Sequence, residues 1–227
     1  DPAKPPRLPW MGVINFTEVT SAAAEINKVG SRPAVQVGQV IKDSPAAKAA
    51  LDHGFPVVCD KPLTTSSRDA ADLARSARAK GLLFCVTYAY SGYPIVAHLR
   101  DLIAGGGIGQ VRFVNGEYPQ EWLTTKLETT GQKQALSRTD PKVAGISNCV
   151  GDIGSHIEFM ASYMTGLEIE SLCARLDHFG PDRPLDDNAT IMVNYGGGAK
   201  GIYWSSQIAD ILSVAPPDPF TVTVYLD

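Results

Sequence analysis

Residues 44–90 read "SPAAKAALDHGFPVVCDKPLTTSSRDAADLARSARAKGLLFCVTYAY", and the order of elements in them decides the fold class. Ser44 is placed to cap a helix whose first position is Pro45; helix formers follow, and Gly54 ends the run. "PVVCD" is an apolar run of strand length. "TSSRDAADLARSARAKG" predicts a second helix closed by Gly81, and "LLFCVTYAY" a second strand. Helix, strand, helix, strand with short connections means parallel strands joined by right-handed crossovers, hence a doubly wound α/β layer.

Outward from this stretch the pattern changes. Upstream, "DPAKPPRLPW" holds four prolines and reads as loop, while "FTEVTSAAAEINKVG" predicts a short helix stopping at Gly30. Downstream, "PIVAHLRDLIAGG" predicts a helix, and "GQVRFVNGEYP" a strand whose alternation places Val111, Phe113 and Asn115 on one face. From Gln120 to Cys149 the chain is polar and carries no regular periodicity. An apolar helix, "GSHIEFMASYMTG", comes next, then the strands "IESLCARLDHF", a hairpin in "NATIMVNYGGGAKGIYWSSQ" turning at Gly196–Gly198, and "FTVTVYL". Successive antiparallel strands with helices elsewhere describe an α+β domain with an open sheet. The expected organisation is a partial dinucleotide-binding domain over 1–89 and an α+β domain over 90–227.

A chain of 227 residues, 44% hydrophobic and 19% charged, can bury one good core or two smaller ones. Its net charge of -4 argues against nucleic acid or an anionic membrane as partner, because both call for clustered Lys and Arg. Small molecules and other proteins fit better. No apolar run approaches the ~18 residues of a membrane span. The chain opens at Asp1 rather than Met, which leaves room for a leader or a further segment. Cys59, Cys85, Cys149 and Cys173 form no CxxC pair and no Cys/His cluster, so no metal is expected; they read as buried, reduced thiols, with the cytoplasm as the default compartment.

Two motifs carry chemistry. In "CDKPL", Lys61 lies one residue past a strand of an open parallel sheet, where ligands bind outside the carboxyl ends of strands. Pro62 can lock that turn, and a cis Lys61–Pro62 bond would aim the ammonium. Asp60 also reads as a polar strand end, and Lys61 as a solvated loop residue. In "GDIGSH", Asp152 and His156 are four apart, on one face if helical, as a carboxylate and imidazole acid/base unit would need. The plainer alternative makes Asp152 an N-cap and His156 a first-turn residue.

Taken together and in this order, "DKP" and "GDIGSH" resemble the Gfo/Idh/MocA family, named for glucose-fructose oxidoreductase, inositol dehydrogenase and a rhizopine-catabolism protein. The likeness extends through "GFPVVCDKPL", "GLLFCVTYAYSGYP", "EYPQEWL", "GQKQALSRTDP", "GDIGSHIEFMASYMTGLE" and "LDDNATIMVNYGGGAKGIYWSSQ", about Ser44 to Gln207. It implies a Rossmann domain carrying NAD or NADP, with Asp60, Lys61 and Pro62 at the cofactor. It also implies a second domain that supplies the substrate pocket and an interface for a homodimer or tetramer. The implied reaction is reversible oxidation of a sugar, inositol or polyol carbinol. In it His156 is the base, Asp152 holds the substrate hydroxyl or the imidazole, and Lys61 donates to the reacting oxygen. Tyr90, Tyr93, Tyr118, Gln120, Lys133 and Arg138 lie in segments similar to the substrate side of relatives.

The sequence also departs from the family. A dinucleotide fingerprint needs GxGxxG after a strand and opening a helix, and the family's first strand and Gly-rich turn are not read here. "AGGGIGQV" at 104–111 follows a helix and leads into a strand, so it reads as a helix-ending turn. "QVIKDSP" stands where relatives carry Thr-Pro-Asn, Tyr88 and Ala89 replace a His-Asn, and "IADILSVAPPDPF" is unlike the family's continuation. The expected explanation is an enzyme longer than these residues. The alternatives are a member that binds sugars or partners without turnover, and a glycosidase using tightly held NAD on the same fold.

Overall fold

Val57, Val58 and Cys59 are apolar in succession and all three are buried, as a strand covered on both faces requires. The computed structural model describes residues 16–18, 35–37, 46–209 and 220–226, in two units, Asp1–Thr87 and Tyr88–Asp227.

In the first unit, strands β1 (Phe16–Glu18), β2 (Val35–Val37), β3 (Val57–Asp60) and β4 (Phe84–Thr87) form one sheet in that order. β2, β3 and β4 run parallel, and β1 is antiparallel to β2. Helix α1 (Ala46–Asp52) precedes β3, and α2 (Ser67–Ala79) joins β3 to β4. α2 starts where Ser66 Oγ accepts from Asp69 N at 3.2 Å, and the chain beyond it turns at Gly81, φ 61°. Leu51, Val57, Cys59 and Ala77 make the core, with Leu63, Leu73, Leu82 and Phe84 packed on it.

Two expectations here are corrected. Phe16–Glu18 is strand, not the start of a helix: an aromatic and a β-branched residue side by side suit a strand, and pairing with β2 outweighs a weak helical signal. The rest of that expected helix, with Ser44, Pro45 and "QVIKDSP", lies outside the described residues. β4 is also shorter than "LLFCVTYAY". After it Ser91 Oγ donates to Tyr88 O at 2.8 Å, and Ala89–Gly92 winds into a 3-10 turn.

The second unit is a five-stranded sheet with a helical layer on one face. α3 (Pro94–Ala104) leads to β5 (Val111–Pro119). Helices α4 (Lys133–Thr139) and α5 (Pro141–Ala144) come next, then a π-helical turn, Val150–Gly154, that runs on into α6 (Ser155–Thr165). β6 (Ile169–Asp177), β7 (Asn188–Tyr195), β8 (Lys200–Ser206) and β9 (Thr221–Leu226) complete the sheet in the order β6-β7-β8-β5-β9. Only the β5–β8 pair is parallel. The β7–β8 hairpin turns at Gly196–Gly198, where Gly197 and Gly198 have φ of 79° and 95°.

α6 lies against the inner face, with Ile157 and Ala161 fully buried, and α3 packs on it through Val96, Met160 and Met164. The crossing of α6 over β5 is at Gly116, where a methyl group would collide with Ile157.

Here too the structure corrects the sequence reading. The register of β5 against β9 shifts between Val111 and Phe113, so Val111 joins Val114 and Tyr118 in the core while Phe113 and Asn115 face the other way. One inserted residue reverses the facing of everything after it. The stretch Gln120–Cys149, expected to be irregular, holds α4, α5 and a 3-10 turn, Leu127–Thr130. These helices are too short to display a period. Their signals are caps: Gln132 accepts from Ala135 N at 3.1 Å, and Asp140 from Lys142 N at 2.9 Å with Pro141 next to it. All four cysteines are free, yet Cys173 is exposed and Cys85 half-buried, so burial holds only for Cys59 and Cys149. No helix among the described residues is long and apolar enough to cross a membrane.

Candidate active site

Asp60 ends β3 opposite Thr87 at the end of β4, and Lys61 and Pro62 follow it. Asp60 Oδ1 accepts from Lys61 N at 2.9 Å and from Thr87 Oγ1 at 2.7 Å, so this carboxylate pins the turn to the neighbouring strand. The Lys61–Pro62 bond is cis, and Lys61 is half-buried.

The fit to a nicotinamide dinucleotide can be tested on this geometry. A pinned loop bearing an ammonium at the end of a parallel strand suits the crevice of a doubly wound sheet. The Gly-rich turn for the pyrophosphate is not among the described residues. "GGGAKG" at 196–201 spells the GxGxxG spacing, but it joins two antiparallel strands and opens no helix.

In the second unit the π-helical turn sets Asp152, and the first turn of α6 sets His156. Asp186 organises the start of that turn from across the chain: it is buried and accepts from Ser147 Oγ at 3.0 Å, Asn148 N at 2.9 Å and Val150 N at 3.1 Å. A carboxylate among the first amides of a helix stabilises them by charge as well as by hydrogen bonding. Asp152 is 7% exposed. Its Oδ1 pairs with Arg138 Nη2 of α4 at 2.9 Å, and its Oδ2 accepts from Gln207 Nε2 at 3.0 Å. Both partners favour the ionised form.

His156 is 8% exposed and ringed by aromatic side chains. Tyr90 stands edge-on at 5.1 Å and Tyr88 at 5.6 Å, with Tyr118 at 6.0 Å and Phe220 at 6.4 Å between centroids. Tyr90 and Tyr118 share a hydroxyl contact of 2.7 Å. Tyr88 also stacks on Phe159, and burial pushes its phenol pKa up. These rings keep bulk water from the imidazole.

Of the residues expected on the substrate side, Tyr90 and Tyr118 thus gather at His156, and Arg138 is engaged with Asp152. Gln120 N donates to Ser206 O at 2.7 Å, next to Gln207. Tyr93 is exposed at the start of α3, its ring 6.1 Å from that of Tyr90. Lys133 is exposed in the first turn of α4. Gln207, Asp186 and Phe220 were not foreseen. Their partners in the site are 36 or more residues away in sequence, and nothing local announces them.

Residues 19–88 match the oxidoreductase family with an NAD-binding Rossmann fold, and residues 96–223 match the GFO/IDH/MocA C-terminal domain. An uncharacterized oxidoreductase of Bacillus subtilis (strain 168) is 36% identical over 166 residues, 71% of this chain and 42% of its own. The levoglucosan dehydrogenase of Pseudarthrobacter phenanthrenivorans is 31% identical over 159 residues, 68% of this chain and 39% of its own. A crystal structure of an inositol dehydrogenase homolog complexed with NAD+ from Azotobacter vinelandii superposes with a TM-score of 0.74 at 30% identity, over 88% of this chain and 52% of that one. The chain thus spans about half, or less, of the length of these relatives. With a Rossmann-type parallel sheet in its first unit, a mainly antiparallel sheet in its second, and both matched by family domains, the chain belongs to the Gfo/Idh/MocA oxidoreductases, whose first domain binds NAD.

Proposed function

We propose that the chain carries the catalytic residues of an NAD(P)-dependent dehydrogenase that oxidises a secondary alcohol of a sugar, inositol or related cyclic polyol. The observation that carries this reading is the buried Asp152 carboxylate, clamped between Arg138 and Gln207 four residues before a water-shielded His156. The named relatives, an inositol dehydrogenase homolog and a levoglucosan dehydrogenase, support the substrate class.

When bound, the nicotinamide supplies the hydride acceptor. His156 takes the hydroxyl proton of the alcohol as its C–H bond gives up the hydride. The fixed negative charge of Asp152 stabilises the imidazolium that results. Lys61, by its place in the family motif, donates a hydrogen bond to the oxygen on which negative charge develops. The rings of Tyr90, Tyr118 and Phe220 give the site an apolar wall for the C–H face of a cyclic substrate.

We further propose that the outer face of the five-stranded sheet forms a homo-oligomer interface and that the protein works in the cytoplasm. The first rests on exposed Met192, Ile202 and Tyr225 on that face, the second on thiols left unpaired.

The test is a panel of sugars and inositols assayed with NAD+ and NADP+ by nicotinamide absorbance. His156→Ala and Lys61→Ala should each lower turnover at least ~100-fold with the circular dichroism spectrum unchanged. Parent-rate turnover by either variant would remove that residue from the mechanism. Release of sugar from a glycoside with no net absorbance change would make the protein a glycosidase, and neither reaction nor NAD binding by calorimetry would make it a non-catalytic binder.

A further inference from the structure

We infer that Gln207 is a positioning residue for this reaction, holding Asp152 from the side opposite Arg138. The inference rests on the reading of Asp152 and His156 as the acid/base pair.

Gln207 follows β8 and is fully buried. Its backbone N donates to Asp187 O and its backbone O accepts from Leu123 N, each at 2.9 Å. With the main chain fixed at both groups, the side chain leaves the sheet end in a set direction and reaches the π-helical turn, where Nε2 donates to Asp152 Oδ2 at 3.0 Å. The amide can face the carboxylate only by its NH2, because an ionised carboxylate accepts and does not donate. Arg138 Nη2 occupies the other oxygen at 2.9 Å, so the carboxylate plane is held at two points.

Charged and titratable groups near this carboxylate include Arg138 from α4, His156 one turn on and the Cys149 thiol, whose pKa is pushed up by burial and, to a smaller extent, by the charges of Asp186, Asp152 and Asp187. Asp186 and Asp187 are spent on other amides: Asp186 on the first turn, Asp187 on Phe179 N at 2.9 Å and on Gly180 N. Without the Gln207 donor, the ionised form of Asp152 loses a hydrogen bond that favours it, and its proton affinity rises.

The experiment uses the full-length enzyme with Gln207→Leu, Gln207→Glu and, as benchmark, Asp152→Asn. The carboxyl carbon of Asp152, assigned by its loss in Asp152→Asn, is titrated by 13C NMR, and the pH profile of kcat/KM is recorded alongside. Gln207→Leu should raise the Asp152 titration by about one pH unit and move the acid limb of kcat/KM up with it. It should also cut kcat about 10-fold with KM changed less than about threefold. Gln207→Glu should restore the donor only while it is protonated: two facing carboxyls share one proton, so activity survives where that proton is held and falls as it leaves. This second variant keeps the test open should Gln207→Leu fail to fold. A purely structural role would lower activity equally at all pH, and that result, with the NMR titration unmoved, would overturn the inference. If Asp152→Asn itself turns over at the parent rate, it is the acid/base reading that fails instead.

Discussion

Arg183 bears no catalytic role here, yet it supports the site. It is buried, donates to Leu123 O and to Thr125 O at 3.0 Å, and meets Glu128 at 2.9 and 3.1 Å. Leu123 in turn holds the backbone of Gln207. The Arg183 guanidinium beside Glu128 holds that carboxyl below its ordinary range. A carboxyl depressed in the folded state contributes stability that is fully present above its unfolded pKa, about 4.3, and is lost as pH falls through the folded value. Glu128→Gln should therefore cost about 2–3 kcal/mol in urea unfolding at pH 7, because a buried guanidinium is left without its counter-charge. The gap to the parent should close in acid, where the parent carboxyl is protonated as well. An equal gap at both pH values would show that the ion pair contributes nothing. At this scale the sequence is legible only where partners are near neighbours. The spacing of Asp152 and His156 announces a shared face, whereas Arg138, Gln207 and Asp186 reach Asp152 and its turn from 14, 55 and 36 or more residues away, distances no local pattern encodes.

Elements were legible where the pattern was local and long enough to repeat. α2 carries a cap, thirteen helical residues and a closing turn, and β3 is an unbroken apolar run, so both are readable from residues alone. β5 was misread in its facing because a bulge is a property of pairing, seen only against β9. Between Gln120 and Cys149 the helices are one or two turns long, shorter than the window in which amphipathic spacing emerges. The element that matters most to the site is α6, and its seat on β5 is set by one missing side chain. At Gly116 an added methyl would collide with Ile157 Cγ2, and Ile157 is fully buried in a close-packed core. Gly116→Ala should cost about 1–3 kcal/mol in denaturant unfolding. It should also lower kcat, since Ile157 is the residue after His156 and a displaced α6 carries the imidazole with it. In the pair Gly116→Ala with Ile157→Ala, which removes the Cγ2 that the added methyl would strike, the second change should cost much less than Ile157→Ala does alone and kcat should recover. No recovery would mean that the glycine is needed for its backbone and not for the space.

At the scale of the whole molecule, the question is what covers the outer face of the second sheet. Its cross-strand neighbours are Cys173 and Met192, Met192 and Ile202, and Phe113 and Tyr225, while Trp204 lies opposite Thr190. Met192 is 56%, Tyr225 53% and Ile202 38% exposed, so apolar side chains run across adjoining strands on one surface, with no helix over it among the described residues. Apolar surface of this continuity is characteristic of protein interfaces, and a two-fold related copy would pair like with like across it. The proposal gives Cys173 a use as a reporter, since it shares this face and is exposed, while Cys59 and Cys149 are buried, and burial pushes the Cys59 thiol up to about 11. At concentrations where the oligomer forms, Cys173 should react with a thiol reagent at least ~10-fold more slowly than on dilution, because alkylation requires the copies to part. Met192→Asp and Ile202→Asp each bury a charge against the partner copy. They should shift the sedimentation coefficient to that of the monomer and bring Cys173 to its fast rate at every concentration, with NAD binding retained if the Rossmann unit is untouched. Should both variants sediment like the parent, and Cys173 react at one rate throughout, the outer face would not be where copies of this chain meet.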